Sequence, residues 1–131
     1  MTNAETVRSA YEAFARADVP AILETFAEKI VWSEAEGHPY GGEYTTPEGV
    51  VDGVFVPLAT RWDHFSADVD HVIDGGSDLL VAVGRDGGRY KANGNVINIP
   101  FAHVWTMRDG KAIHVRQHTD TALFQLAVSG D

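Results

Sequence analysis

Apolar residues recur at helical spacing in the first half of this chain and at strand spacing in the second. That division restricts the fold more than any single motif. Val7, Ala10, Tyr11 and Phe14 stand at i, i+3, i+4 and i+7, which predicts a helix over 3–16, with Thr2 and Glu5 at capping-box spacing. Asp18-Val19-Pro20 restarts a short second helix, capped by Asp18, with Ile22, Leu23 and Phe26 on its buried side. Lys29 to Glu36 reads as a strand carrying Ile30, Trp32, Glu34 and Glu36 on one face. After a glycine-rich loop over 37–45, Thr46-Pro47-Glu48 opens a third helix, continued by Val51, Val54, Phe55, Leu58 and Trp62.

From Ser66 onward the period is two. Asp68 to Ile73 leads into the turn Asp74-Gly75-Gly76-Ser77, and Leu79 to Arg85 follows as a strand. Gly87-Gly88 predicts a bulge, with the strand resuming over 89–92. Asn93-Gly94 and Asp109-Gly110 are hairpin turns. Between them Val96 to Met107 is a long strand whose Pro100 requires an edge or a bulge. Ala112 to Thr119 is the last strand, and Asp120 or Thr121 caps a terminal helix over 122–128. Helices segregated from an antiparallel sheet give an α+β domain. The expected architecture is a strongly curved sheet wrapped on three helices of the N-terminal half, a cone with an internal cavity. No linker or repeat divides residues 1–131, so one domain is expected.

Composition removes several function classes. At 44% apolar and 22% charged residues the profile is globular. The absence of cysteine excludes disulfides and thiolate metal sites. A net charge of −9, with scattered Lys and Arg, argues against nucleic acid and anionic membranes as partners. No apolar run approaches the roughly 20 residues needed to cross a bilayer, and no basic-then-apolar leader opens the chain. A cytoplasmic location is the expectation.

A two-residue loop at Asp109-Gly110 pairs Arg108 with Lys111 and sets a regular register. Ala102 then faces Gln117, Val104 faces Val115, and Thr106 faces Ile113, on a small, mildly polar surface suited to the cavity. The other surface carries Phe101 with His118, His103 with Arg116, and Trp105 with His114. An aromatic sheet back of that kind needs a cover, so these six residues are expected to form a homodimer interface.

Val7 to Asp18, Val31-Trp32-Ser33-Glu34, Gly41-Gly42-Glu43-Tyr44, Phe101-Ala102-His103-Val104-Trp105, Asp109-Gly110-Lys111 and Gln117-His118-Thr119-Asp120-Thr121 together resemble the SnoaL-like proteins. These belong to the nuclear-transport-factor-2-like superfamily, with the ketosteroid isomerases and limonene epoxide hydrolases. The resemblance covers nearly the whole chain and implies the cone fold, while that fold hosts many chemistries. Against the ketosteroid isomerases, the general-base aspartate falls on Glu34, the oxyanion-hole tyrosine on Ala10, and the protonated oxyanion-hole aspartate on Ala102. The resemblance thus implies a base without oxyanion donors, and standard steroid isomerisation is not expected. A functional glutamate of the phenazine-biosynthesis proteins falls on Gln117, and an aspartate of the polyketide cyclases comes nearest to Asp120.

Three residues are therefore catalytic candidates. Glu34 beside Trp32 would be a base raised by an apolar wall; its plain alternative is a solvated or arginine-paired strand-end carboxylate. Gln117 would orient a ligand, or else be a satisfied core amide. Asp120 carries the cyclase resemblance, or else simply caps the following helix. Tyr11, Phe14, Trp32, His38, Tyr40, Phe55, Leu58, Trp62, Ala102, Val104, Val115 and Thr119 are expected to line the ligand space. His114 and His118 lie about 13 Å apart along a strand, too far to share one metal ion, so no metal is expected, and general acid–base chemistry requires no cofactor. The reading that follows is a cofactor-independent isomerase, cyclase or lyase acting on a small apolar carbonyl or polyketide-like compound. A non-catalytic binding or dimeric interaction module is the alternative, and an epoxide hydrolase the third.

Overall fold

The structure, a computed structural model, describes residues 1–130. Helix α1 (Asn3–Ala15) starts at a complete capping box: Thr2 Oγ1 accepts the Glu5 N–H, and Glu5 accepts the Thr2 N–H. Asp18 caps α2 (Val19–Leu23) by accepting the Ala21 N–H. Strand β1 (Phe26–Glu34) begins earlier than its apolar pattern suggested and takes Phe26 from the helix. The same strand ends before Glu36. The glycine-rich loop contains a short strand, β2 (Gly42–Tyr44).

The third helix is continuous but not uniform. Thr46 caps α3 (Pro47–Val50), a π-helical turn spans Val51–Phe55, and α4 (Val56–Arg61) completes it. One extra residue per turn in such a segment re-aims the side chains it carries, here Val54 and Phe55. Gly53 lies in this turn because a Cβ there would come within 2.0 Å of the Tyr44 ring. Trp62, expected at the end of this helix, instead begins β3 (Trp62–Asp74).

β4 (Leu79–Tyr90), β5 (Val96–Arg108) and β6 (Lys111–Thr119) follow, and α5 (Thr121–Ser129) closes the described chain. All six strands form one sheet in the order β2-β1-β6-β5-β4-β3. Four of its pairings are antiparallel, but β1 runs parallel to β6, which corrects the wholly antiparallel expectation. No hairpin joins β1 to β6, so no local turn signal dictates their relative direction.

The bulge expected at Gly87-Gly88 sits on the facing strand. His64 and Phe65 of β3 together oppose Gly88, and His64 takes the left-handed φ of 54°. The β4–β5 ladder runs past both glycines without a shift. Pro100 fits at a local edge. β6 reaches only Thr119, opposite Phe101, so beyond that point β5 has β4 alone beside it.

The last hairpin decides what faces the interior. Arg108 pairs with Lys111 and Met107 with Ala112 as the turn demands, but Thr106 then pairs with His114. Ile113 is an extra residue, and the period of two converts that single insertion into an exchange of faces. Phe101, His103, Trp105, Val115 and Gln117 point inward and are all buried. Ala102, Val104, His114, Arg116 and His118 share the opposite face. Half of the expected cavity face and half of the expected interface have thus changed places. Trp105, 2% exposed, becomes one of the largest core side chains. Burial of an aromatic of this size contributes roughly 2–3 kcal/mol.

Candidate functional site

Between the inner sheet face and α1, α2 and the π turn lies a cavity with about 50 Å³ open to the centre of a water-sized sphere. At on the order of 10–15 Å³ per water, that admits a compact molecule. Its apolar wall includes Phe14, Phe55, Leu58 and Phe65; Tyr11, Trp32 and Trp105 add aromatic surface with polar handles.

Pairing of Ser33 with Arg116 puts Glu34 beside Gln117, and Gln117 pairs with His103. Glu34, Gln117 and His103 therefore stand in one inward row across β1, β6 and β5. With strands about 4.8 Å apart, Glu34 and His103 are separated by roughly 10 Å of backbone, a gap a small ligand can bridge. Ala82, next in the row on β4, adds no bulk.

Glu34 is 4% exposed, and its Oε1 accepts the Trp32 indole N–H at 3.0 Å. Burial pushes its carboxyl up to about 7, partly opposed by the Trp32 hydrogen bond. His38 Nδ1 lies 3.7 Å from Glu34 Oε2, which suggests an ion pair. That nitrogen, however, accepts the Tyr40 N–H at 3.0 Å, so it carries no proton to share with Glu34. Burial holds the His38 ring down to about 4, which leaves it neutral at ordinary pH.

His103 has a more specific arrangement. The Trp105 indole N–H donates to the Tyr11 hydroxyl at 3.0 Å, and that hydroxyl lies 2.6 Å from His103 Nδ1. We assign the hydroxyl proton to Nδ1, the acceptor it meets among the described residues, which puts the imidazole's own proton on Nε2. Nε2 is buried without a partner. Burial, reinforced by His118 and His38, holds His103 down to about 3, so this donor is an uncharged N–H. Burial likewise raises the Tyr11 hydroxyl and keeps it protonated.

Gln117 Oε1 accepts the Ala35 N–H at 3.2 Å, leaving its NH2 group for a ligand. Asp86 also lines the cavity, 3% exposed. Burial holds its carboxyl well above the usual range, and the charges of Glu34 and Asp68 add to this. The site thus combines a carboxyl poised near neutrality, an uncharged N–H in search of an acceptor, and aromatic walls that exclude water.

Of the expected ligand-space residues, Tyr11, Phe14, Trp32, His38, Phe55 and Leu58 line the cavity with Glu34 and Gln117. Tyr40 and Trp62 pack behind it, joined by a 3.0 Å hydrogen bond from the Trp62 indole to the Tyr40 hydroxyl. Val115 belongs to the core on the inward face, whereas Ala102 and Val104 face outward. Thr119 borders a separate surface depression and donates to the Pro100 carbonyl. Asp120 is exposed and caps α5, its Oδ1 accepting the Leu123 N–H at 3.1 Å, as its cap chemistry leads one to expect.

Two polar residues escaped the sequence reading. His103 reads from sequence as a sheet-back residue because nothing local announces the Ile113 bulge. Asp86 was legible, since it continues the inward alternation Leu80, Ala82, Gly84, but the strand was ended at Arg85. The oxyanion comparison also changes. Ala10 and Ala102 lack donors, but Tyr11 and His103, each one residue later, hydrogen-bond to each other at the cavity wall.

The SnoaL-like domain family model matches residues 7–115. An NTF2-like protein from Burkholderia thailandensis is 34% identical, with 98% of each chain covered and a TM-score of 0.93. TerC, solved with polyporic acid, is 25% identical over 98% of each chain, with a TM-score of 0.87. A putative SnoaL-like polyketide cyclase from Jannaschia sp. has the same fold at 20% identity, covering 98% of this chain and 92% of its own, with a TM-score of 0.84. No curated protein matches significantly.

Proposed function

We propose that this chain, which belongs to the SnoaL-like domain family, is a cofactor-independent acid–base enzyme acting on a compact, mostly apolar carbonyl compound. The chain is a member of a small-molecule-binding family. The observation supporting the finer one is the inward row of Glu34, Gln117 and His103 on the wall of a small aromatic cavity. The His103 Nε2–H would hold the carbonyl oxygen, the Gln117 NH2 would orient it, and Glu34 would remove a proton from the adjacent carbon and return it. A base near pH 7 matches the conditions under which proton transfer is most efficient. The N–H would stabilise the developing enolate oxygen. No arginine lines the cavity, so the Asp–Arg–Asp chemistry of epoxide opening finds no support there.

The test is hydrogen–deuterium exchange at the α-carbon of small cyclic ketones, followed by NMR, with polyporic acid added to the binding panel. Exchange by the wild type should rise with pH through about 7. Glu34→Gln should lower it by on the order of 100-fold or more while ketones still bind. Bound ketones that never exchange, or exchange indifferent to Glu34→Gln, would leave a non-catalytic binding protein of the same fold.

A homodimer through the sheet back is part of the proposal, with its residues revised. The outward face carries Ile73 and Leu79, 51% and 41% exposed, beside Val81, Val83, Ala102 and Val104. His114, Arg116 and His118 flank this apolar strip. Light scattering at micromolar concentration should give twice the chain mass, and Val104→Arg should halve it; a monomeric wild type refutes the interface. A cytoplasmic location accompanies this reading, and cell fractionation checks it. Among the described residues no helix is long and apolar enough to cross a membrane.

A further inference from the structure

Glu34 and Asp86 both line the cavity and are each at most 4% exposed, yet no Lys or Arg stands on its wall. Glu34 has the Trp32 indole, but among the described residues no donor bonds the Asp86 carboxyl. Buried carboxyls are ordinarily paired or hydrogen-bonded, because an unpaired one costs several kcal/mol. Asp86 has neither; burial instead holds it protonated, and a cation placed beside it would favour its charged form. Its acidic neighbours, Glu34 on the cavity wall and the exposed Asp68, raise its carboxyl further.

A second group indicates that the missing partner belongs to a ligand. His103 Nε2 is fully buried, lines the same cavity and also has no partner. The two groups call for opposite chemistry. Nε2–H requires an acceptor, and the carboxyl requires a donor, most favourably a cation. They also lie at different places. His103 pairs with Ala82 of β4, and Asp86 is four residues further along that strand. The wall at Asp86 suits a cation: Ala67 pairs with Asp86 and adds little bulk, while Phe14 and Phe65 meet edge to face at 6.2 Å. Ring faces attract ammonium groups.

We infer that Asp86 is the counter-ion for a protonated amine of the ligand, held at the opposite end of the cavity from the oxygen acceptor that His103 Nε2–H receives. The ligand class is therefore a compact amino-carbonyl compound. The inference rests on the cavity being the ligand site proposed above, but not on turnover.

Isothermal titration of the full chain at pH 8 with cyclohexylamine, cyclohexanol and cyclohexanone tests it. Cyclohexylamine should bind at least tenfold more tightly than its isostere cyclohexanol. Asp86→Asn should remove that preference while leaving cyclohexanone within twofold, and Asp86→Ala should agree if the amide finds a partner of its own. Glu34→Gln should keep the preference. Equal binding of amine and alcohol overturns the inference and leaves the carbonyl reading standing. A preference that survives both Asp86 variants, or vanishes in Glu34→Gln, overturns it in favour of Glu34 as counter-ion. Failure of all three probes to bind overturns the inference together with the cavity reading.

Discussion

Glu34→Gln is expected to stabilise the folded protein by roughly 3 kcal/mol at pH 8 and by almost nothing at pH 4. Burial raises the folded-state carboxyl from 4.5 to about 7. Between those values the unfolded chain has lost the proton while the folded chain retains it, so stability falls as pH rises. Above about 7 the full penalty is present. Glutamine removes the charge but keeps an oxygen for the Trp32 indole N–H. The difference between variant and wild type should thus grow from pH 4.5 and level off beyond pH 7. For a domain of 131 residues this corresponds to roughly 10 °C in melting temperature. A variant with equal stability at every pH would mean that Glu34 is solvated or paired, and its role as a base would lose its physical ground. The same variant should lose exchange activity, so the substitution trades function for stability, as strained sites do.

The second large effect has the opposite pH dependence. His103 is held neutral down to about 3, against an ordinary value near 6.5. Below pH 6.5 the unfolded chain takes up a proton that the folded chain refuses, so His103 destabilises the fold progressively as pH falls. His103→Phe removes that linkage and should gain roughly 3 kcal/mol relative to wild type between pH 7 and pH 4. A constant loss on the order of 1–3 kcal/mol is superimposed, because the Tyr11 hydroxyl loses the ring nitrogen to which it donates. Urea titrations across pH separate the two: the offset is flat, and the linkage is not. Carbonyl ligands should bind this variant about tenfold or more weakly, since the Nε2–H is gone. Unchanged affinity would show that the carbonyl is held elsewhere. His38 also resists protonation through burial, so only the difference curve isolates His103.

Glu34 is recognisable from the sequence alone, because an acid two residues from Trp32 on a strand predicts a carboxyl against an apolar wall. What could not be read was its company. Placing His103 in the cavity depends on Ile113 being an extra residue in β6, a choice made by packing along the whole strand. The Asp109-Gly110 turn correctly sets the first two pairs of that ladder, and beyond the bulge the β5 residues exchange faces relative to β6. Asp86 failed for a different reason. Gly87-Gly88 read as an interruption of β4, whereas the irregularity belongs to β3.

Interactions within a few residues were therefore settled along the chain itself. The capping box at Thr2 and Glu5, the caps at Asp18, Thr46 and Asp120, and the turn at Asp109-Gly110 satisfy backbone groups locally, so their chemistry is visible in a short window. The α+β division follows equally from the periods of apolar residues. Contacts between distant segments required the folded molecule. The parallel pairing of β1 with β6 brings Glu34 beside Gln117, and the Ile113 bulge turns His103 toward both. Burial then sets their protonation, because desolvation depends on every element packed around a group and not on its neighbours in sequence.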